Sequence, residues 1–166
     1  MSTKNLYKEN AREKIKEIVE DIHIGMMITK IGHKPLSVIP MSTKKVDEFG
    51  NLWFLSKSTS EHNKNIEADE DVQLVYSDHS QSTYLSVFGT AIISTNKVII
   101  NELYQKLDNN WFDGIKDQEL TAICVEPKTA YYWDSTSNKY IEFFKMGLNA
   151  YADTNYEIGQ EGKLEV

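Results

Sequence analysis

The chain has 166 residues, 40% of them apolar and 11% aromatic, with only 3 prolines. That is enough for one domain with a real core and too little for two large ones, and 9 Tyr, 6 Phe and 3 Trp exclude a disordered chain. The net charge of −7 and a single arginine, Arg12, argue against a reader of duplex DNA, which relies on arginine for phosphate and guanine contacts.

Asn10-Ala11-Arg12-Glu13 reads as a capping box, followed by Ala11, Ile15, Ile18, Val19 and Ile22 at helical spacing, so a helix is predicted from Asn10 to Asp21. Ile22 to Lys30 is apolar and β-branched, Gly32-His33-Lys34-Pro35 is a turn, and Leu36 to Thr43 resumes extended structure. Pro40 removes a ladder donor, which places that strand at an edge or bulge. Asp47 to Asn51 is a second turn and Leu52 to Leu55 a short buried strand.

A hydroxyl-rich loop, Ser56 to Ser60, then runs into a short helix, Glu61 to Glu67, with Ser60 as its N-cap and Asp69-Glu70-Asp71 closing it. Strands are predicted at Val72 to Tyr76 and Thr83 to Ser94, the second carrying Gly89 as a bulge or a close backbone approach. A long amphipathic helix is predicted from Asn96 to Leu107, with Val98, Ile99, Leu103 and Leu107 on one side. Two more strands, Leu120 to Val125 and Ala130 to Trp133, are separated by Glu126-Pro127-Lys128, and the tail from Gly147 is weakly patterned. About six strands with few helices between them predict a small antiparallel barrel with flanking helices, in one domain over residues 1–166.

No apolar run approaches the ~20 residues that cross a bilayer, and the polar N-terminus lacks a signal-peptide stretch. With Cys124 the only cysteine, an intramolecular disulfide is impossible and a cytoplasmic location is expected. Cys124 lies in an apolar strand and reads as a small buried hydrophobe. His23, His33, His62 and His79 never fall at metal-ligand spacing, so no metal site is expected. No residue stands out as a catalytic acid, base or nucleophile. The most informative stretch is the hydroxyl loop, because a helix start offers unpaired N–H groups and a partial positive charge that can hold phosphate, although a Ser N-cap on a surface helix needs no ligand. Trp53, Tyr84, Tyr131, Tyr132 and Trp133 suit either core packing or a stacking surface for a ring system.

Several segments together resemble the general-stress type of the pyridoxamine 5′-phosphate oxidase-like family. They are Pro40-Met41-Ser42-Thr43, Gly50 to Ser56 with Ser60, Asn65 to Asp69, Thr83 to Ala91, Trp111-Phe112, Tyr131-Tyr132-Trp133-Asp134 and Glu161 to Leu164, in the family's order. The resemblance implies a six-stranded antiparallel split β-barrel that works as a homodimer, with FMN, or FAD in its place, at the subunit interface. It places Met41, Ser42, Thr43 and Lys44 beside the isoalloxazine, Leu55 and Ser56 at the flavin and its phosphate tail, Ser60 and His62 at the phosphate, Tyr84 as a contact from the partner subunit, and Trp133 near the ring. Two positions depart from the family: Ile39 stands where many members carry Arg, and His62 replaces a lysine. Both lose a permanent charge and are expected to weaken FMN binding. The Arg and His pattern of true pyridoxamine phosphate oxidases is absent, with Ile141 to Lys145 in its place. The expected function is therefore an FMN-dependent oxidoreductase of low activity using a reduced nicotinamide. The alternative is a non-enzymatic binding module that keeps the barrel and takes FMN weakly or another ring ligand. Neither nucleic acid nor membrane is an expected partner.

Overall fold

The structure, a computed structural model, describes residues 2–134 and 159–166. Two short strands, β1 (Ser2–Thr3) and β2 (Leu6–Tyr7), precede α1 (Lys8–Ile22), and β3 (Ile24–Thr29), β4 (Ser37–Ser42), β5 (Lys45–Val46) and β6 (Leu52–Lys57) follow. Next come α2 (Glu61–Ala68), β7 (Asp71–Asp78), β8 (Thr83–Ser94), α3 (Lys97–Leu103), a 3-10 turn (Lys106–Asn110), β9 (Leu120–Asp134) and β10 (Gln160–Glu165).

The strands form one mixed sheet in the order β1-β10-β9-β8-β7-β3-β4, while β6 pairs with the N-terminal half of β9 and β5 pairs with β6. The chain from β4 into β5 leaves β3 and joins β6, with Thr43 N–H on His23 C=O and Lys44 N–H on Trp53 C=O. Six principal strands (β3, β4–β5, β6, β7, β8, β9) thus curl into a barrel, and the molecule is mainly β with flanking helices, as expected. The additional strands sit beyond the C-terminal half of β9, where β10 pairs antiparallel with β9 and parallel with β1 and β2.

The alternation of each strand sends Met27, Phe54, Leu74, Leu85, Val87 and Ile123 into the barrel, where Ala11, Ile15, Ile18 and Val19 of α1 close it. A second cluster lies outside, where Ile100 and Leu103 of α3 cover Leu55, Leu120 and Ala122.

Four sequence expectations are corrected. First, α1 begins at Lys8 with Tyr7 as an uncapped N-cap, so the Asn10–Glu13 box does not form; β2 pairs with Leu164 and Glu165 immediately before it, and that long-range pairing sets the entry point. Second, the helix predicted from Asn96 to Leu107 stops at Leu103. Its Asn96 cap is present, but Val98 and Leu107 are exposed and Ile100 takes the core position. Third, the last two predicted strands are one 15-residue strand, β9. Pro127 sits opposite a register shift between Phe88 and Gly89, and the bulge absorbs the missing N–H without ending the strand. Fourth, the tail carries β10 within its described part; Ile141 to Lys145, like residues 147–158 of the tail, lies outside the described residues.

Gly89 shows why the bulge needs a glycine. A Cβ there would lie 2.3 Å from the Glu126 carbonyl oxygen, a backbone atom that cannot step aside. Gly89→Ala is expected to cost about 2–4 kcal/mol, read as a lowered urea midpoint at unchanged slope.

Candidate functional site

Strand β6 runs on from Trp53 to Lys57, but its pairing with β5 ends at Trp53, while β4 remains paired to β3. A gap therefore opens between Met41–Thr43 on one lip and Leu55–Lys57 on the other. On this side β6 has no ladder neighbour beyond Trp53, and apart from the Lys57 C=O, which accepts the Ser60 N–H at 3.0 Å, its outward N–H and C=O groups are open to water or a ligand. The first turn of α2 stands at the end of the same lip.

Ser60 caps α2, its Oγ accepting the Asn63 N–H at 3.3 Å. The N–H groups of Glu61 and His62 have no intrahelical acceptor, as at any helix start. The Ser60 Oγ is also 3.1 Å from His62 Nε2, and burial lowers the His62 pKa below its ordinary value, so the imidazole is neutral at pH 7. The Lys57 ammonium is half-exposed, with only a loose 3.9 Å contact to Asp117.

Beneath this turn is a buried polar network. Asn63 Nδ2 donates to Thr121 Oγ1 at 3.0 Å, and Thr121 Oγ1 is 2.8 Å from Ser56 Oγ. Among the described residues Asn63 Oδ1, which is buried, has no hydrogen-bond partner. Neither Asn63 nor Thr121 was anticipated from sequence: Asn63 occupies the third helical position, where a capping box would show Glu or Gln, and Thr121 sits in an apolar strand.

The sequence-predicted residues divide into two groups. Ser56, Ser60 and His62 come together at the start of α2, and Met41, Ser42 and Thr43 form the facing lip, with the Met41 side chain turned into the barrel core and Lys44 at the closed end, its N–H on the Trp53 C=O. The side chain of Leu55 packs under α3 and that of Ser56 onto Thr121, so both offer the gap only backbone atoms. Thr43 Oγ1 is 2.7 Å from Tyr76 OH, whose pKa burial pushes up, so this phenol stays protonated. Lys44 is committed elsewhere, its Nζ 2.7 Å from Asp108 Oδ1 with both side chains about nine-tenths buried. Asp108 also accepts the Gln105 N–H at 2.7 Å and thereby anchors the 3-10 turn.

Removing one partner of such a pair leaves a buried charge. Lys44→Met is therefore expected to cost about 3–5 kcal/mol, most of it recovered in the Lys44→Met/Asp108→Leu double variant. Urea melts of the four proteins of that cycle check this.

Tyr84 and Trp133 form the second group. They are cross-strand partners on the outer face of β8 and β9, with the Tyr131 ring 4.7 Å from that of Trp133. Ser42 lies three strand spacings away across β3 and β7, about 14 Å, so a single chain does not bring the two groups together. Between them the same face exposes Ile24 (60%), Met26 (40%), Val38 (46%) and Val75 (36%), an unusually apolar surface for a solvated sheet.

Other chemistry is sparse. Cys124 is buried and its thiol is pushed up to about 11, which keeps it protonated and unreactive. Among the described residues no group of His, Cys, Asp and Glu could hold a metal ion, and no helix is long and apolar enough to cross a membrane. Grooves of about 410, 480 and 540 Å³ lie elsewhere on the chain, and none is lined by the ten residues of the predicted site.

A sequence model of the family described as pyridoxamine 5′-phosphate oxidase like matches residues 10–157. No curated protein matches the chain. Among solved structures, the chain is similar to a candidate general stress protein 26 from Jannaschia sp. CCS1, with TM-score 0.80 and 22% identity over 93% of this chain and 97% of that one. It is also similar to the general stress FMN/FAD binding protein of Xanthomonas citri, with TM-score 0.66 and 16% identity over 79% of this chain and 93% of that one. A heme binding protein from Mycobacterium smegmatis shares the fold at TM-score 0.59 and 12% identity, over 75% of this chain and 54% of that one. At such identities these likenesses establish the fold alone.

Proposed function

The chain belongs to the pyridoxamine 5′-phosphate oxidase-like family, and from that premise we propose that it is an FMN-binding protein of the general stress type, acting as a low-activity oxidoreductase from a flavin site at a homodimer interface. The observation that carries this reading is the gap between β4 and β6, with the open start of α2 at its end. The residues present fit the cofactor. The Glu61 and His62 N–H groups, the Ser60 hydroxyl and the Lys57 ammonium supply donors and charge for a phosphate, and the unpaired edge of β6 offers backbone groups to a planar ring.

Flavin would supply the two-electron chemistry, and the protein would supply orientation and the exclusion of water. Thr43, fixed by the Tyr76 hydroxyl, sets one wall of the gap. Lys44 holds that wall against the 3-10 turn through Asp108, so its part is to position the wall rather than to touch the flavin. Tyr84 and Trp133 would reach the gap from the second subunit, because the two groups are separated within one chain. The apolar outer face, which spans β4, β3, β7 and β8 between them, is the surface such a two-fold dimer would cover.

The absorbance spectrum of the purified protein and a thermal shift with added FMN test this reading. At FMN about 100 times its dissociation constant the fold should gain about 2.7 kcal/mol. Absence of both a flavin spectrum and a shift would overturn it.

A second reading is favoured by the charges: His62 is neutral, Ile39 is apolar and Lys44 is occupied by Asp108. The barrel would then be a binding module for a ring ligand held without catalysis. Bound flavin that a reduced nicotinamide fails to bleach under anaerobic conditions would support it.

A further inference from the structure

At the Leu52 end of β6, about 17 Å from the Lys57 end where the gap opens, a groove of about 480 Å³ lies between α1, the β5–β6 turn and the outer face of β8 and β9. Its size is that of a small-molecule site. Arg12, Lys128 and Glu126 bring charge to its lining, Phe49 and Ile92 bring apolar surface, and Cys124 also lines it. Phe49 is 65% and Ile92 60% exposed, so the apolar wall is open to a ligand.

Arg12 is the only arginine in a chain with 25 acidic residues, yet among the described residues it has no ion pair or hydrogen bond. Its stem is nevertheless placed. Gly50, at φ +85°, leaves the space across which the Arg12 side chain lies, since a Cβ there would be 3.1 Å from Arg12 Cγ and 3.2 Å from Cδ. This glycine both makes the turn and seats the guanidinium stem. Lys128 is already paired with Glu126 at 2.8 Å, so the groove holds one uncommitted positive charge beside apolar surface. A single bidentate cation next to a hydrophobic wall matches one carboxylate with an apolar body, and falls short of the several charges of a nucleotide polyphosphate.

We propose that this groove binds a small monocarboxylate with an apolar body, its carboxylate on Arg12 and its hydrocarbon against Ile92 and Phe49. The site is independent of the flavin gap and stands whether or not flavin binds.

Octanoate is the probe, followed through the backbone amide resonances of Gly50 and Cys124 in ¹H–¹⁵N spectra of the full chain, with octylammonium as the charge-reversed control. Octanoate should shift both resonances saturably and octylammonium should not. Arg12→Gln should weaken octanoate about tenfold and Arg12→Lys by less, as a point charge replaces the planar fork. Ile92→Asp should remove binding while the melting temperature stays near wild type. The proposal is overturned if octanoate gives no saturable shift below about 10 mM, if Arg12→Gln binds it like wild type, or if octylammonium binds as well.

Discussion

Replacing Met26 by Asp is expected to give a monomer of 19.1 kDa that no longer holds FMN. Met26 pairs with Pro40 on one side and Val75 on the other, at the middle of the apolar outer face. It is 40% exposed in the single chain, so a carboxylate there is solvated and the fold should survive. In a two-fold dimer the same substitution appears twice and buries two unpaired carboxylates against apolar neighbours. A cost of about 3 kcal/mol or more follows, at least about 100-fold in association. Because Tyr84 and Trp133 are separated from the gap within one chain, loss of the dimer should remove the flavin with it. Light scattering and FMN fluorescence quenching measured together decide the matter. A wild-type monomer would end the composite site, and a Met26→Asp monomer that still quenches FMN would place the whole flavin site within one subunit.

His62 is expected to make FMN affinity depend on pH. In the free protein burial lowers its pKa below 6.5, so the ring is neutral at pH 7 and lies 3.1 Å from the Ser60 hydroxyl. A neighbouring phosphate favours the charged imidazolium and raises that pKa on binding. Binding then takes up a proton, and affinity rises as pH falls through the value of the complex. It falls again below about pH 6, where the phosphate gains its second proton. The profile should be a bell with its maximum on the acidic side of neutral. His62→Lys should flatten the alkaline limb and bind more tightly at pH 8, and His62→Ala should lose about 1–2 kcal/mol at the optimum. Titration of FMN quenching from pH 5 to 8.5 in the three proteins reads this, and identical curves would remove His62 from the phosphate site.

The free protein carries the opposite sign for stability. With its folded pKa below the unfolded value, His62 contributes least at low pH, because the unfolded chain binds the proton more readily. Its contribution is present above about pH 6.5 and is lost as pH falls.

Local chemistry was legible in the sequence. Ser60 caps α2 as its side chain and neighbours dictate, Thr83–Ser94 is a strand throughout, and Gly89 marks the bulge because only a glycine tolerates the Glu126 carbonyl so close. Pro40 lies on β4, the edge of the sheet order, where a missing N–H breaks no further ladder. Cys124 is buried in an apolar strand, as its neighbours indicate. Each of these is signalled by a residue's own chemistry and its immediate neighbours, although the Glu126 carbonyl that demands a glycine at position 89 is brought there by the distant strand β9.

What the tertiary structure decided depended on partners far away in sequence. Pairing of β2 with β10 starts α1 early, and Lys44 draws Asp108 into a 3-10 turn where helical spacing would have continued α3. The ladder to β8 and β10 carries β9 straight through Pro127. The candidate site divided in the same way. The hydroxyl loop and its cap were visible in the sequence, whereas the commitment of Lys44, the Asn63–Thr121–Ser56 network and the separation of Tyr84 from the gap were not. Side-chain propensity and spacing report what a residue does to its neighbours along the chain. Which buried charge finds which partner, and which strand edge is left open, is fixed only when distant segments pack and every buried polar group must be satisfied at once.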